Sequence, residues 1–284
     1  MTTIGILTKP QFPEITTILQ DLLKWLDHQQ KSVLLGSHPA ALLDQSHLHN
    51  NDRVAAHADY IIVLGGDGTM LSAARLVEER SVPIIGINMG GLGFLTEATV
   101  DDLYPSLDKV FAQKFYLDHR LRLQASITHQ NGTTEKASAL NDIVISKGSV
   151  GRMIKVHMQL GEQFVTNLRG DGIIVSSPTG STAYSLSAGG PILDPSLESL
   201  LVTPISPHTL THRPLIVPSQ VSLEIKLTSL EGAMASIDGQ IDIAMECGDT
   251  ITISTSPHRT RLIRFPDRTY YDVLRSKLKW GGGG

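Results

Sequence analysis

The segment 65–69, Gly-Gly-Asp-Gly-Thr, has residue types and spacing that could do chemistry. It follows the apolar run 60–64, so it is typical of a turn between a buried strand and a helix. Glycines there allow positive φ and carry no Cβ atoms, so backbone N–H groups can face an anion such as a phosphate. Asp67 adds a carboxylate, which repels an anion unless it takes a proton, holds a metal or binds hydroxyl groups. The turn therefore predicts phosphate binding with a chemical role for Asp67; the alternative is a tight turn in which Asp67 caps the helix.

A second unusual segment, 176–190, is rich in glycine and small hydroxyl residues and follows a predicted strand over 172–175. Hydroxyls and backbone amides at this density can bind ribose or phosphate, and the Tyr184 ring can lie against a planar base. A flexible surface linker has a similar composition, but the adjoining strand and the tyrosine argue against one. A serine nucleophile is not indicated, because the sequence around Ser181 does not form the Gly-x-Ser-x-Gly turn. The segment therefore predicts contact with a ligand.

Two common nucleotide-binding templates do not fit the first glycine turn. The phosphate loop Gly-x-x-x-x-Gly-Lys-Ser/Thr is absent. In the dinucleotide pattern Gly-x-Gly-x-x-Gly, the third glycine position after Gly66 and Gly68 is Leu71. A dehydrogenase that transfers hydride therefore does not match this chain.

The elements that must position these residues change in character along the chain. Over residues 1–115, apolar strands alternate with amphipathic helices, which predicts a Rossmann-like parallel sheet covered by helices. Ligands of such sheets bind at the C-terminal ends of the strands. Both the 65–69 turn and a second glycine-rich turn at 89–94 follow predicted strands. We therefore expect an α/β phosphate-donor domain over residues 1–115.

Beyond residue 115 the apolar period becomes two, with hairpin signals at 131–132 and 238–239. This pattern predicts a second, mainly antiparallel β-sandwich domain over residues 116–266. A helical pattern returns in the final segment, 267–284, and predicts a helix that packs back on the first domain, followed by a tail of four glycines. The predicted fold class is thus α/β plus β.

Asn141 and Asp142 interrupt the apolar series 137–145, which otherwise resembles one buried strand. Polar side chains in a buried strand need hydrogen-bonding partners. The alternative is an edge strand on which this pair faces water. Both interpretations stay open at this point.

Composition narrows the classes of partner and location. With 24 Lys and Arg against 28 Asp and Glu, the net charge is −4, so no global charge favours nucleic acid or an anionic membrane. Cys247 is the single cysteine, which fits a reducing cytoplasm. No apolar run approaches the roughly 20 residues that span a bilayer. We expect a cytoplasmic protein without nucleic-acid or membrane partners.

A polar segment carries four histidines within twenty positions, which raises the question of a metal site. No carboxylate–histidine spacing of a known site accompanies them, and loops tolerate exposed histidine. We therefore assign no metal ligands there. The four residues are His38, His47, His49 and His57.

Five segments together resemble the NAD kinase family, of the bacterial type that uses ATP or polyphosphate. The 65–69 turn is shared with lipid kinases and phosphofructokinases, whereas the run 178–191, Pro-Thr-Gly-Ser-Thr-Ala-Tyr-Ser-Leu-Ser-Ala-Gly-Gly-Pro, is far more specific. Asn141-Asp142, 207–210 (Pro-His-Thr-Leu) and 238–240 (Asp-Gly-Gln) occur in the same order, so the resemblance covers about residues 1–280. The family more often has Asn-Glu at 141–142, and the shorter acid predicts a shifted hydrogen bond to ribose.

The resemblance implies phosphoryl transfer from ATP, or from polyphosphate, to the 2′-hydroxyl of the adenosine ribose of NAD, which gives NADP. Mg²⁺ or another divalent cation is the implied cofactor. Asp67 is the implied catalytic residue, either as acceptor of the hydroxyl proton or as a metal ligand, and the two roles stay open. The implied donor-phosphate turn consists of Gly65, Gly66, Gly68 and Thr69.

The resemblance also implies a set of NAD contacts. Asn141 and Asp142 would hold the ribose hydroxyls, and Asp171 the nicotinamide amide or another group of NAD. The adenine side would be bound by Thr182, Ala183, Tyr184 and Ser187. Phe94 would line a pocket between the domains, Arg152 and Arg169 would contact the dinucleotide phosphates, and Asp67, Gly68, Thr179, Ser185 and Gln240 complete the set.

The implied partners are the small molecules NAD and ATP and further copies of the chain, in a homodimer or homotetramer. Two other functions remain open at this point. One is a lipid or sugar kinase of the same superfamily, which the 65–69 turn alone would fit. The other is a non-catalytic sensor that binds NAD or NADH in the same pocket. Donor choice, preference for NAD or NADH and allosteric regulation are not indicated by the sequence.

Overall fold

The computed structural model describes residues 2–9, 14–47, 50–148 and 152–280. His49 and the terminal glycines 281–284 lie outside the described residues. The chain divides into two compact units, one formed by residues 1–119 together with 260–284, the other by residues 120–259. The returning segment therefore begins at Thr260, seven residues before the predicted boundary at 267.

Unit 1 begins with strands and helices in alternation, as predicted. Apolar residues of the first helix at Ile15, Leu19, Leu22 and Leu26 are buried, which matches their 3–4 spacing. The elements are β1 (Thr3–Thr8), α1 (Ile15–His28), β2 (Ser32–Leu35), α2 (Ser37–Leu42), α3 (Asn51–His57), β3 (Tyr60–Leu64), α4 (Asp67–Leu76), β4 (Ile84–Asn88), β5 (Ala98–Thr99), α5 (Leu103–Phe111) and β6 (Tyr116–Arg120).

Unit 2 consists almost entirely of strands. Its elements are β7 (Leu123–Thr128), β8 (Thr134–Ala139), β9 (Asp142–Lys147), β10 (Ile154–Leu160), β11 (Gln163–Gly170), β12 (Gly172–Ser176), α6 (Tyr184–Ser187), β13 (Ser199–Ile205), β14 (Leu215–Pro218), β15 (Leu223–Leu227), β16 (Ala233–Ile237), β17 (Ile241–Met245) and β18 (Thr250–Thr255). The chain then returns to unit 1 with β19 (Thr260–Arg264) and α7 (Tyr270–Leu278).

The sheet of unit 1 has the strand order β2-β1-β3-β4-β19-β6, with β5 paired to β4. The pairs of β1 with β2 and β3, and of β4 with β3, β5 and β19, are parallel. Helix α7 starts with a capping box between Thr269 and Asp272. These findings confirm the predicted parallel sheet with helices. The predicted C-terminal helix is present as α7, in a stretch of chain that belongs to unit 1.

Two six-stranded sheets form unit 2, in the orders β11-β10-β15-β18-β7-β8 and β14-β13-β12-β9-β16-β17. We call them the 154-sheet and the 143-sheet, after Ile154 and Ile143, which face a common core. Neighbouring strands within both sheets pair in antiparallel fashion. Alternate residues of both sheets pack into one common core. This arrangement is a β-sandwich, as predicted.

The apolar series 137–145 is two strands rather than one. β8 ends at Ala139 in the 154-sheet, and β9 begins at Asp142 in the 143-sheet. Leu140 and Asn141 therefore connect the two sheets of the sandwich. β9 lies between β12 and β16, and Asp142 is buried, so the edge-strand alternative is wrong.

Among the described helices, none combines the length and the apolar character needed to cross a bilayer.

Candidate functional site

The turn at 65–69 has extended rather than left-handed backbone at its start. Gly66 precedes α4 with φ −93° and ψ −167°, and none of Gly65, Gly66 and Gly68 has a positive φ. The glycines of this turn therefore do not use the positive φ that they allow. A Cβ at Gly65 would lie 2.5 Å from Thr69 Oγ1, whereas a Cβ at Gly68 would meet nothing within 4 Å. The missing side chain of Gly65 thus allows close packing against Thr69, whereas that of Gly68 leaves the backbone open to a ligand.

Asp67 is the first residue of α4 and not its N-cap, because Gly66 holds the cap position. The Asp67 carboxylate instead accepts two backbone hydrogen bonds from the second glycine-rich turn. The Phe94 N–H donates to Oδ2 at 2.9 Å, and the Leu95 N–H donates to Oδ1 at 3.0 Å. A carboxylate has about four acceptor positions, so two bonds leave capacity for a hydroxyl or a metal ion. The helix-cap alternative is wrong for Asp67.

Gly93 allows this approach. A Cβ at Gly93 would overlap with the Asp67 carboxylate. The Gly93 N–H donates to Thr96 Oγ1 at 2.8 Å, which closes the turn within its own loop. The two glycine-rich turns predicted at strand ends are therefore joined through one carboxylate.

The Thr69 amide already donates to the Gly66 carbonyl at 3.0 Å within the first turn of α4. This bond limits the prediction that the Thr69 N–H holds a donor phosphate. The Gly65 amide likewise donates to the Ile87 carbonyl of β4 at 2.9 Å. The first bond lies within the turn and the start of α4, and the second connects the turn to β4.

Unit 2 contains a cavity of about 400 Å³ on the outer face of the 143-sheet. Side chains alternate along β9, so Ile143 and Ile145 face the core while Asp142, Val144 and Ser146 face the cavity. The lining residues are Asn141, Asp142, Val144, Ser146, Ala183, Tyr184, Ser236, Asp238 and Gly239. Four predicted NAD contacts are therefore brought together here: Asn141, Asp142, Ala183 and Tyr184.

Asp238 organises the connection between the two sheets at 140–142. Its carboxylate accepts three consecutive backbone N–H groups, from Leu140 at 2.9 Å, Asn141 at 2.7 Å and Asp142 at 3.2 Å. Asp238 has φ 52° and begins the turn between β16 and β17, as its Asp-Gly sequence predicts. Burial raises the pKa of Asp238, while these N–H groups and Arg122 lower it.

Asp142 is a buried acid beside a second buried acid. Burial, and then the charge of Asp238, raise the pKa of Asp142 to about 7, although a hydrogen bond from the Tyr184 backbone lowers it. The carboxyl group is therefore close to half-protonated near neutral pH, and in either state it can bond a hydroxyl group.

Hydroxyl groups of the 176–190 segment serve the fold to a large extent. The Ser177 hydroxyl donates to the Leu140 carbonyl at 2.5 Å, and the Ser181 hydroxyl donates to the Pro178 carbonyl at 2.6 Å. Ser185 is fully buried, with its hydroxyl 2.8 Å from that of Thr203. These bonds fold the segment over the outer face of the 143-sheet, which presents Ala183 and Tyr184 to the cavity. Half of the Tyr184 surface, 47%, is exposed.

The described lining of this cavity does not include several predicted NAD contacts of unit 2. Arg152 is exposed and pairs with Glu231 at 3.0 Å, and Arg169 is exposed on β11 of the opposite, 154-sheet. Asp171 pairs with Lys147 at 2.8 Å, and Thr179 Oγ1 accepts a hydrogen bond from Arg120. The residues outside the described lining are Arg152, Arg169, Asp171, Thr179, Thr182, Ser185, Ser187 and Gln240.

Five lining residues were not among the predicted contacts: Val144, Ser146, Ser236, Asp238 and Gly239. Once residues 142–147 are assigned to a strand with Ile143 and Ile145 in the core, the alternation of side chains places Val144 and Ser146 on the opposite face. For Asp238, the Asp-Gly sequence predicts only a turn. Its bonds to Leu140 and Asn141 span nearly a hundred residues, so no local pattern indicates them.

The described part of the chain contains no group of three or more His, Cys, Asp or Glu residues arranged to hold a metal ion. The Nδ1 atom of His38 lies 2.7 Å from Thr8 Oγ1, within hydrogen-bonding distance.

Comparisons with known proteins agree over both units. Family models described as ATP-NAD kinase N-terminal domain and C-terminal domain match residues 4–115 and 140–265. NAD kinases from Geobacter sp. (strain M21) and from Syntrophotalea carbinolica are each 42% identical to this chain, with 99% of each chain covered.

Two solved structures share the fold. A yeast NADH kinase complexed with NADH aligns with a TM-score of 0.92 at 22% identity, over 100% of this chain and 89% of its own. An NAD kinase from Archaeoglobus fulgidus in complex with ATP aligns with a TM-score of 0.77 at 25% identity, over 98% and 99% of the two chains. With both family models and full-length relatives in agreement, the chain belongs to the NAD kinase family.

Proposed function

We propose that this chain transfers the terminal phosphoryl group of ATP to the 2′-hydroxyl of the adenosine ribose of NAD. As a member of the NAD kinase family, the chain phosphorylates NAD to NADP with ATP. The observation that carries the proposal is the match of both halves of the chain to this family. The lipid or sugar kinase alternative and the non-catalytic sensor have no observation in their favour.

Asp67 is the proposed catalytic residue. Phosphoryl transfer needs an oriented hydroxyl group and a route for its proton. The Phe94 and Leu95 amides hold the Asp67 carboxylate in one orientation and leave acceptor capacity for the hydroxyl proton. Asp67 sits beside Gly66 and Gly68, at which added Cβ atoms would meet no neighbour closer than 4.0 Å. This open backbone supports the assignment of the donor phosphates to the 65–69 turn.

The cavity on the 143-sheet is the proposed site for the adenosine part of NAD. Asn141 and Asp142 would bind ribose hydroxyls, since an amide and a buried carboxyl group offer both donors and acceptors. Tyr184 would stack on adenine, and its exposed ring supports that role. Of the other implied contacts, Ser185 has its hydroxyl committed to Thr203, so its contribution would come through backbone atoms.

A divalent cation fits the donor turn. Mg²⁺ is usually held by one or two carboxylates together with substrate phosphates and water, and Asp67 is a carboxylate with acceptor capacity remaining. When bound, the ion would neutralise charge on the phosphate oxygens. ATP is the proposed donor, with polyphosphate as a second donor to be tested. A homodimer or homotetramer is the proposed assembly, which sedimentation of the purified chain would measure.

The experiment is a panel of acceptors and donors with one enzyme preparation. NAD, NADH, a sphingoid base and fructose 6-phosphate are each incubated with γ-labelled ATP and Mg²⁺, and NAD also with polyphosphate. We expect label in NADP from NAD, and none in the lipid or the sugar. Label in the lipid or sugar alone would establish another kinase, and tight NAD binding with no labelled product would establish a sensor.

A further inference from the structure

The loop 94–97 is held from both sides within unit 1. On one side, the N–H groups of Phe94 and Leu95 donate to the Asp67 carboxylate. On the other side, the Arg264 guanidinium donates to the carbonyls of Phe94 at 3.0 Å and Thr96 at 3.1 Å. The backbone around Phe94 therefore connects an arginine of β19 to the carboxylate at the start of α4.

Arg264 is itself fixed by burial and charge. It is 8% exposed, and its Nη1 atom also donates to Glu97 Oε2 at 2.9 Å. Glu97 is 5% exposed and accepts a second bond from the Phe265 N–H at 2.8 Å. The Arg264 Nε atom lies 3.7 Å from Asp118 Oδ2. The planar fork of arginine thus reaches two carbonyls and two carboxylates at once.

Through Arg264, the returning strand β19 contacts the loop 94–97 as well as completing the sheet. β19 pairs in parallel with β4, and β4 leads into the second glycine-rich turn. The chain leaves unit 1 at residue 119 and returns at Thr260, so β19 brings Arg264 to the loop 94–97 from more than 160 residues away. Other strand sequences could fill the same place in the sheet without an arginine at that position.

We infer that Arg264 is a positioning residue for Asp67, which it orients through the backbone of the loop 94–97. The inference rests on the proposed function of Asp67 and extends it to a residue that does not touch the substrate. Without the guanidinium, the carbonyls of Phe94 and Thr96 lose the bonds from Arg264, and the N–H groups that aim the Asp67 carboxylate are held less firmly. A misplacement of about 1 Å of a reacting group costs roughly a hundredfold in rate.

The test compares Arg264→Lys with Arg268→Lys. Lysine keeps the positive charge beside Glu97 but presents a single ammonium group, which cannot reach the two carbonyls and Glu97 together. Arg268 is the matched control, because its Nη1 atom donates to the Glu97 carbonyl at 3.0 Å, at the end of the loop away from Asp67. We expect kcat of Arg264→Lys to fall roughly tenfold to a hundredfold, with the KM and Kd for NAD unchanged, and Arg268→Lys to retain wild-type kcat.

A double-mutant cycle separates positioning from general loss of structure. If Arg264 acts through Asp67, Arg264→Lys should lower kcat of the Asp67→Asn enzyme by less than twofold, although it lowers that of the wild type at least tenfold. An equal loss in both backgrounds, an equal loss in Arg268→Lys, or wild-type kcat in a folded Arg264→Lys enzyme would overturn the inference. The proposed function would still stand in all three cases, because wild-type NADP formation measures it separately.

A second variant covers the case in which Arg264→Lys does not fold. Arg264→Met combined with Glu97→Gln removes both buried charges, which avoids leaving one unpaired. It also leaves the carbonyls of Phe94 and Thr96 without their arginine donor. A folded double variant with kcat at least tenfold below wild type supports the inference, and one with wild-type kcat overturns it.

Discussion

At the residue scale, two carboxylates of this protein are placed in contrasting ways. Asp67 accepts two backbone N–H groups and lies at a turn with open backbone. Asp142 is buried beside Asp238, and only the Tyr184 backbone lowers its raised pKa. These different environments fit the different tasks proposed for the two acids, which are proton or metal binding at Asp67 and hydroxyl binding at Asp142. Each placement leads to its own prediction.

Asp142 should make the stability of the protein depend on pH. Its pKa is about 7 in the folded chain, whereas an aspartate in an unfolded chain has a pKa of about 3.9. The folded chain therefore binds this proton more tightly, so its contribution to stability is complete below about pH 4 and is lost as pH rises through 7. Asp142→Asn should remove roughly 2 kcal/mol of the fall in unfolding free energy between pH 5 and pH 8.

Urea unfolding at pH 5 and pH 8 measures this difference. Asp242→Asn is the matched control, because Asp242 is an exposed acid of the same sheet. The control should keep the pH dependence of the wild type. An Asp142→Asn protein with that same dependence would contradict the assignment of a raised pKa to Asp142.

Tyr184 should contribute to NAD affinity. Stacking of a base on an aromatic ring is worth about 1–3 kcal/mol when the ring is replaced by alanine. Tyr184→Ala should therefore raise the KM and Kd for NAD about tenfold, with little change in kcat. Tyr271→Ala, which removes a similarly exposed tyrosine from α7, should leave both constants unchanged. An unchanged Kd for NAD in Tyr184→Ala would remove this residue from the site.

At the element scale, the site in unit 2 depends on how the 176–190 segment packs on the connection between the two sheets. The Ser177 N–H donates to the Asn141 carbonyl at 2.9 Å. The Asp238 carboxylate accepts hydrogen bonds from the backbone N–H groups of the same connection. The short 3-10 turn at 179–182 lies so close that a Cβ at Gly180 would overlap with the Asn141 backbone. The position of Asn141 and Asp142 is therefore set by the 176–190 segment and by the turn at Asp238 together.

Gly180→Ala should disturb this packing. The new methyl group would displace either the 3-10 turn or the connection at Asn141, so we expect loss of about 1–3 kcal/mol of stability and weaker NAD binding. Gly148→Ala is the control, because a Cβ there meets nothing within 4 Å. Thermal unfolding and NAD titration of both variants test this. Wild-type stability and NAD affinity in Gly180→Ala would show that the close contact between Gly180 and the Asn141 backbone is not needed for folding or for NAD binding.

Local patterns predicted some elements of this fold and missed others for physical reasons. The strand Tyr60–Leu64 and helix Asp67–Leu76 follow from an apolar run, a glycine turn and a helical period. Helices α2 and α3 bury few apolar side chains, so their periodicity is weak. β19 is a short strand of five residues that follows the strands of unit 2 in the chain, and no local feature shows that it pairs with β4. The roles of Asp238 and Arg264 depend on contacts across about 100 and 170 residues, which spacing alone does not reveal.

At the scale of the whole molecule, unit 1 is built from two separate stretches of chain, whereas unit 2 is one continuous insertion over residues 120–259. Unit 2 has its own core between two sheets, which includes the fully buried Ile143 and Ile173. The strand β19, by contrast, lies inside the sheet of unit 1, between β4 and β6. Unit 2 therefore has what an independent domain needs, while unit 1 needs both ends of the chain.

Residues 120–259 expressed alone should fold cooperatively, because their core is contained within the fragment. A chain that ends at Arg259 should aggregate, since the loss of β19 leaves β4 and β6 as unpaired edges. Urea unfolding of the fragment, with Ile173→Asp as a control that should not fold, measures the first expectation. A fragment without a cooperative transition would contradict the independence of unit 2.

Asp67 is the proposed catalytic residue for the ATP-dependent conversion of NAD to NADP. The most direct measurement is the rate of NADP formation by the wild type, Asp67→Asn and, as an exposed-acid control, Asp108→Asn, with the Kd for NAD determined for each. We predict that the wild type and Asp108→Asn form NADP at equal rates, and that Asp67→Asn is slower by roughly 10²- to 10⁴-fold at an unchanged Kd. NADP formation by Asp67→Asn at a rate near that of the wild type would contradict the account.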